Sequence, residues 1–126
     1  MMRLRNLAVV AVFLWVTVSC ARQESPLVGH WQAIEDAPQL GPAVVDMTFH
    51  SDGTYKSSLS KDGVFYAITE GTWTLDGQWL SYKSTRTSVK GAPTGSLSRD
   101  KVVALSSDHL VLESSDGRTR DYRSIR

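Results

Sequence analysis

The sequence predicts a small all-β protein, an antiparallel up-and-down barrel of about eight strands, and three observations carry that expectation. Four Asp-Gly pairs, Asp52-Gly53, Asp62-Gly63, Asp76-Gly77 and Asp116-Gly117, punctuate the chain. Asp-Gly suits tight hairpin turns because those turns need positive φ, which glycine adopts without steric cost. Between the turns apolar residues alternate with polar ones, the period of a strand buried on one face and wet on the other. No stretch after Cys20 has a helical period.

The first nineteen residues stand apart from this pattern. Arg3 and Arg5 precede an apolar run from Leu7 to Val18, broken only by Thr17, and Ser19 then leads into Cys20, the one cysteine of the chain. As a helix rising ~1.5 Å per residue the run spans about 18 Å, short of the ~30 Å hydrocarbon core, so it fits a cleaved signal peptide better than a membrane span. Thr17-Val18-Ser19-Cys20 resembles the lipobox of bacterial lipoproteins, although Thr17 stands where that family usually has an aliphatic residue. The resemblance implies that Cys20 receives a diacylglyceryl thioether and becomes the acylated N-terminus. Three acyl chains, palmitate among them, would hold the protein permanently, at about 0.8 kcal/mol per buried methylene. Ser19-Cys20-Ala21 also fits an ordinary small-x-small cleavage site, which would leave Arg22 at the N-terminus and no cysteine. The absence of Asp after Cys20 resembles lipoproteins of the outer membrane that face the periplasm, if the host is Gram-negative.

On the lipoprotein reading the chain divides into a signal peptide at 1–19, a lipidated N-terminus and polar tether at 20–27, and a barrel domain at 28–126. About a hundred residues without a disulfide must stabilise themselves by core burial alone. Arg3 and Arg5 leave with the signal peptide, so twelve basic residues face thirteen acidic ones, a balance that gives no electrostatic case for nucleic acid. Arg118, Arg120, Arg123 and Arg126 make the C-terminal end basic, with Arg118 and Arg120 on one strand face and Arg123 on the other.

Strands are expected near 28–34, 44–50, 54–60, 64–69, 71–75, 78–86, 99–105, 109–114 and 118–124, the runs at 64 and 71 being one bent strand or two. Val45, Met47 and Phe49 share a face, as do Tyr55, Ser57 and Leu59, Val64, Tyr66 and Ile68, Leu80 and Tyr82, and Leu110 and Leu112. Two segments rich in Pro and Gly, Glu35 to Ala43 and Arg86 to Ser98, read as long loops, the first placed to cover a barrel mouth.

Leu27-Val28-Gly29-His30-Trp31, Met47 to Tyr55, Gly71-Thr72-Trp73-Thr74-Leu75 and His109 to Leu112 resemble the bacterial lipocalin-like domains of small lipoproteins, over nearly all of 27–124. Trp79 departs from that pattern at a position usually polar or small. The resemblance implies a structural closure in which Gly29 lets the strand pass into the barrel end, Trp31 plugs it, and Arg123 packs on Trp31 as a cation on an aromatic face.

Chemistry-bearing sets are sparse. His30, His50 and His109 have no metal-ligand spacing, so no metal or other cofactor is expected. His50-Ser51-Asp52 holds the residue types of a nucleophilic triad, but neighbours in sequence cannot form that relay. Glu70 and Asp46 are carboxylates beside apolar runs without an evident second acid. The aromatic residues are more informative, either as a filled core or as the lining of an amphipathic pocket. Phe49, Tyr55, Tyr66, Trp73 and Tyr82 are the candidate ligand-binding residues. The expected function is non-enzymatic binding of a small hydrophobic or amphipathic ligand by an anchored envelope lipoprotein. The alternative is a structural or assembly accessory acting through its outer surface.

Overall fold

A computed structural model describes residues 25–125, so the signal peptide, Cys20 and most of the tether lie outside the described residues. Eight strands follow in order: β1 (Gly29–Ala37), β2 (Gly41–Phe49), β3 (Thr54–Lys61), β4 (Val64–Asp76), β5 (Trp79–Thr87), β6 (Leu97–Leu105), β7 (His109–Glu113) and β8 (Thr119–Ser124). Each is antiparallel to its neighbours, and β8 returns to β1 to close the barrel. Closure removes the free edges that an open sheet of this size would expose.

The Asp-Gly signals act where expected. Asp62 and Gly63 both take positive φ, 53° and 79°, making the two-residue turn between Lys61 and Val64. Asp76 instead closes the β4–β5 ladder against Trp79, and Gly77 at φ 61° begins that turn. The runs at 64 and 71 are one strand, β4.

Glu35 to Ala43 is not a long loop. β1 continues to Ala37, Leu40 N–H donates to Ala37 C=O at 3.2 Å, and β2 starts at Gly41 with Pro42 opposite Asp36. Positive φ at Gln39 and Gly41 compresses the reversal into three residues, so no flap covers a mouth here. The second loop is real but shorter, running over 88–96 between β5 and β6.

Three register shifts set side chains against simple alternation. Leu59 pairs with Ala67 and Ser60 with Phe65, leaving Tyr66 as the extra residue of a bulge; Thr85 and Val103 are extra in the same sense. A bulge leaves one residue unpaired and re-aims those beyond it. Alternation already points Tyr66 and Val103 outward, where they are about half exposed; the bulges bring Phe65 and Ala104 to the outer face beside them.

Most inward positions pack solidly. Leu27, Trp31, Phe49, Leu80, Leu110 and Tyr122 are almost fully buried and share one cluster with Val45, Met47, Tyr55, Tyr82 and Leu112. Leu27 belongs to this core, although the sequence places it in the tether. Val28 N–H donates to Ser25 C=O at 3.1 Å, and the resulting turn folds Leu27 under the barrel end where β1 starts.

Candidate functional site

The inner wall carries an aromatic half and a polar half. Four of the five candidate ligand residues meet in the aromatic half as two ring pairs. Phe49 meets Trp73 edge-on with centroids 5.4 Å apart, and Tyr55 tilts against Tyr82 at 5.6 Å. These rings occupy the interior themselves. Tyr66 does not join them, because it shares the outer face of β4 with Ile68, Glu70 and Thr72, opposite to Gly71 and Trp73, and is exposed to solvent.

The closing residues are placed differently from the expectation. Trp31 is 2% exposed and its Nε1–H donates to Leu27 C=O at 2.9 Å, so the indole and Leu27 seal this end together. Arg123 is exposed on the outer face, because Tyr122 takes the inward position of β8 and neighbours in a strand point oppositely. The arginine–ring contacts among the described residues are Arg99 on Trp79 and Arg120 near Tyr122. A side chain at Gly29 would clash with nothing; the position suits glycine because its φ is +143°.

The polar half lies towards the opposite end and was not singled out by sequence reasoning. Arg120, on the face of β8 that carries Tyr122, donates from Nη1 to the Tyr122 hydroxyl at 3.0 Å and from Nη2 to Glu35 Oε1 of β1. Tyr82 donates its hydroxyl to Asp100 of β6. A groove of about 650 Å³ reaches Glu35, Asp100, Leu112 and Arg120 at this mouth. The available sequence signal was the shared parity of Arg120 with Tyr122. Glu35 was hidden by its assignment to a loop.

Burial pushes the Tyr82 phenol far above its ordinary value of 10.0, helped by Asp100, and burial raises Tyr122 against the pull of Arg120. Tyr55 is raised by burial as well. Because the folded values lie above the unfolded one, this contribution to stability is whole below pH 10 and is lost as pH climbs beyond it. Thermal melts are therefore expected to show stability falling above pH 10, by up to roughly 1.4 kcal/mol per pH unit for Tyr82, with Tyr122 adding in the same direction. Tyr82→Phe should shallow that decline; an unchanged profile would show that Tyr82 ionises freely in the folded state.

Other candidates belong to the outer surface. His30 Nε2 lies 2.6 Å from Asp46 Oδ1, and Glu70 pairs with Arg86 at 3.2 Å, so neither carboxylate is an isolated buried acid. His109 pairs with Asp121. Asp52 accepts from Thr54 N–H at 2.9 Å and Thr54 Oγ1 at 2.6 Å, which commits it to the turn rather than to His50. No group of three or more His, Cys, Asp or Glu side chains able to hold a metal occurs among the described residues.

Comparison with known proteins places this geometry. A lipocalin-like protein from Bacteroides uniformis superposes with a TM-score of 0.59 at 23% identity, covering 80% of this chain and 100% of that one. The fold is lipocalin-like. An uncharacterized protein from Bacteroides eggerthii gives a TM-score of 0.57 at 16% identity, covering 79% of this chain and 99% of that one. No protein-family model matches the sequence, and comparison with curated proteins gives no match. The lipocalin-like barrel thus differs from a hollow cup: its aromatic end is filled, and its accessible polar groups sit at the mouth.

Proposed function

We propose that this chain is a membrane-anchored envelope lipoprotein, without enzymatic activity, whose lipocalin-like barrel binds a small amphipathic molecule at its mouth. The observation that carries the reading is the mouth groove of about 650 Å³. Ligand pockets run from ~300 to 1,000 Å³ and combine apolar wall with a few placed polar groups. Here Leu112 and Ile34 supply apolar surface, while Arg120 and Asp100 offer a donor and an acceptor for a polar head.

Anchoring rests on Cys20. The four residues Ala21 to Glu24 reach at most ~14 Å when extended, which would keep the Trp31 end near the bilayer. The mouth would then open away from the membrane, towards the periplasm of a Gram-negative host. One observation favours the accessory reading instead: Ile34, Phe65 and Leu97 are 68%, 61% and 75% exposed, which suits contact with another protein.

A Cys20→Ser variant tests both halves of the proposal. It is expected to move from the membrane to the soluble fraction with its β circular dichroism intact. Titration of that soluble protein with cis-parinaric acid is expected to raise the probe's fluorescence saturably. Arg120→Ala should weaken the binding by about tenfold, the value of one charged hydrogen bond. A folded barrel with no saturable response would leave the accessory reading, and unchanged membrane fractionation would remove lipidation.

A further inference from the structure

Resting on the ligand-binding reading, we propose that the seam between β1 and β8 is a lateral portal into the barrel and that the Glu35–Arg120 ion pair is its latch. The decisive observation is a mismatch between strand length and strand pairing. β1 has nine residues and β8 six, yet the two pair only at Trp31–Ser124 and Gln32–Arg123. On its other side β1 pairs with β2 along its whole length, from Gly29 to Ala37.

Hydrogen-bond parity shows what the seam lacks. Ile125 N–H donates to His30 C=O at 2.9 Å, which aims the amides of Gln32, Ile34 and Asp36 at β8. A bond from Ile34 N–H to Asp121 C=O would extend the ladder to Ala33 and Tyr122, but the ladder stops one pair earlier. Continued at the same register, Glu35 falls opposite Arg120. At that position a side-chain bond from Arg120 Nη2 to Glu35 Oε1 joins the strands.

The mouth groove lies over this stretch. Ile34, Glu35 and Asp36 form one bank, and Thr119, Arg120 and Asp121 form the other. Behind them lie Ala33, Leu112 and Tyr122, all at most 4% exposed. Both partners of the latch are over a third exposed, at 39% and 36%, so water screens the pair and holds its strength down. Strands joined in this way separate locally at a fraction of the cost of unfolding. Arg120 also holds Tyr122 on its own strand, so β8 keeps its bank while the outer half of the β1–β2 hairpin moves. Opening the seam lets a groove-bound molecule, already beside Asp100, reach Tyr82 and Tyr122 without disturbing the plugged end.

Hydrogen exchange by mass spectrometry on the full chain, in the Cys20→Ser background, tests the latch without any ligand. Glu35→Gln is expected to speed exchange about threefold at the amides of Gln32, Arg123 and Ile125, which make the remaining bonds of the seam, while β3 keeps its protection. Glu35→Arg alone should speed it further by repulsion. Glu35→Arg combined with Arg120→Glu rebuilds the pair and should return exchange towards the starting value. Stopped-flow mixing with cis-parinaric acid then tests the route. Glu35→Gln should raise the association rate of the probe, the rate that opening of the seam limits. Equal exchange with and without Glu35→Gln overturns the latch. Faster exchange with unchanged binding rates overturns the portal. Failure of the probe to bind any variant overturns the ligand reading and the portal's role with it, while the exchange data still judge the latch.

Discussion

Trp31→Ala is expected to cost about 3–5 kcal/mol, the range for removing a buried large aromatic side chain. Trp31 is 2% exposed and sits over Leu27, which is fully buried, so truncation leaves a void at the barrel end that these strands cannot fill. The indole N–H bond to Leu27 C=O at 2.9 Å goes as well, stranding a buried carbonyl. Domains of this size are stable by about 5–15 kcal/mol, so the variant would lose a large share of its margin. A midpoint fall of roughly 15 °C or more should be visible by circular dichroism. Trp31→Phe, which keeps most of the apolar volume, should lose distinctly less. A loss below about 1 kcal/mol for Trp31→Ala would show that this end is closed by something other than the indole.

Gly71→Ala is expected to be nearly as damaging for a different reason. A Cβ at Gly71 would stand 2.0 Å from the Lys83 carbonyl oxygen and 2.9 Å from both the Lys83 carbonyl carbon and Tyr55 Cε1. Two of those atoms are backbone of the adjoining strand, so the clash is relieved only by separating β4 from β5 at the bulge where Glu70 meets Arg86 and Gly71 meets Ser84. Overpacking of this kind costs about 1–3 kcal/mol, and the fixed backbone puts this site at the upper end. Gly63→Ala is the matched comparison. Its φ is +79° with no atom within 4 Å of the new Cβ, so only the conformational cost of ~1 kcal/mol applies. Equal denaturation midpoints for the two variants would contradict the close approach at Gly71.

The candidate site was only partly legible in the sequence. Phe49, Tyr55, Trp73 and Tyr82 were identified as inward-facing aromatics, and they do meet, but as a filled core. Whether rings line a space or occupy it depends on the barrel's cross-section, which is a property of all eight strands together. Glu35, Asp100 and Arg120 come from β1, β6 and β8, and sequence spacing carries no trace of their meeting. Arg123 and Arg120 look alike in composition. Only the inward position of Tyr122 separates the surface arginine from the one at the mouth.

Local chemistry determined the all-β character, the number of strands and the main reversals, because a two-residue period and glycine's access to positive φ act within a few residues. Tertiary structure alone decided the bulges at Tyr66, Thr85 and Val103, the tight β1–β2 turn, the burial of Leu27 and the truncated seam. Each of these depends on how one strand registers against another far away in the chain. A shift of one residue there inverts which side chains face inward, while the local pattern of apolar and polar residues stays the same.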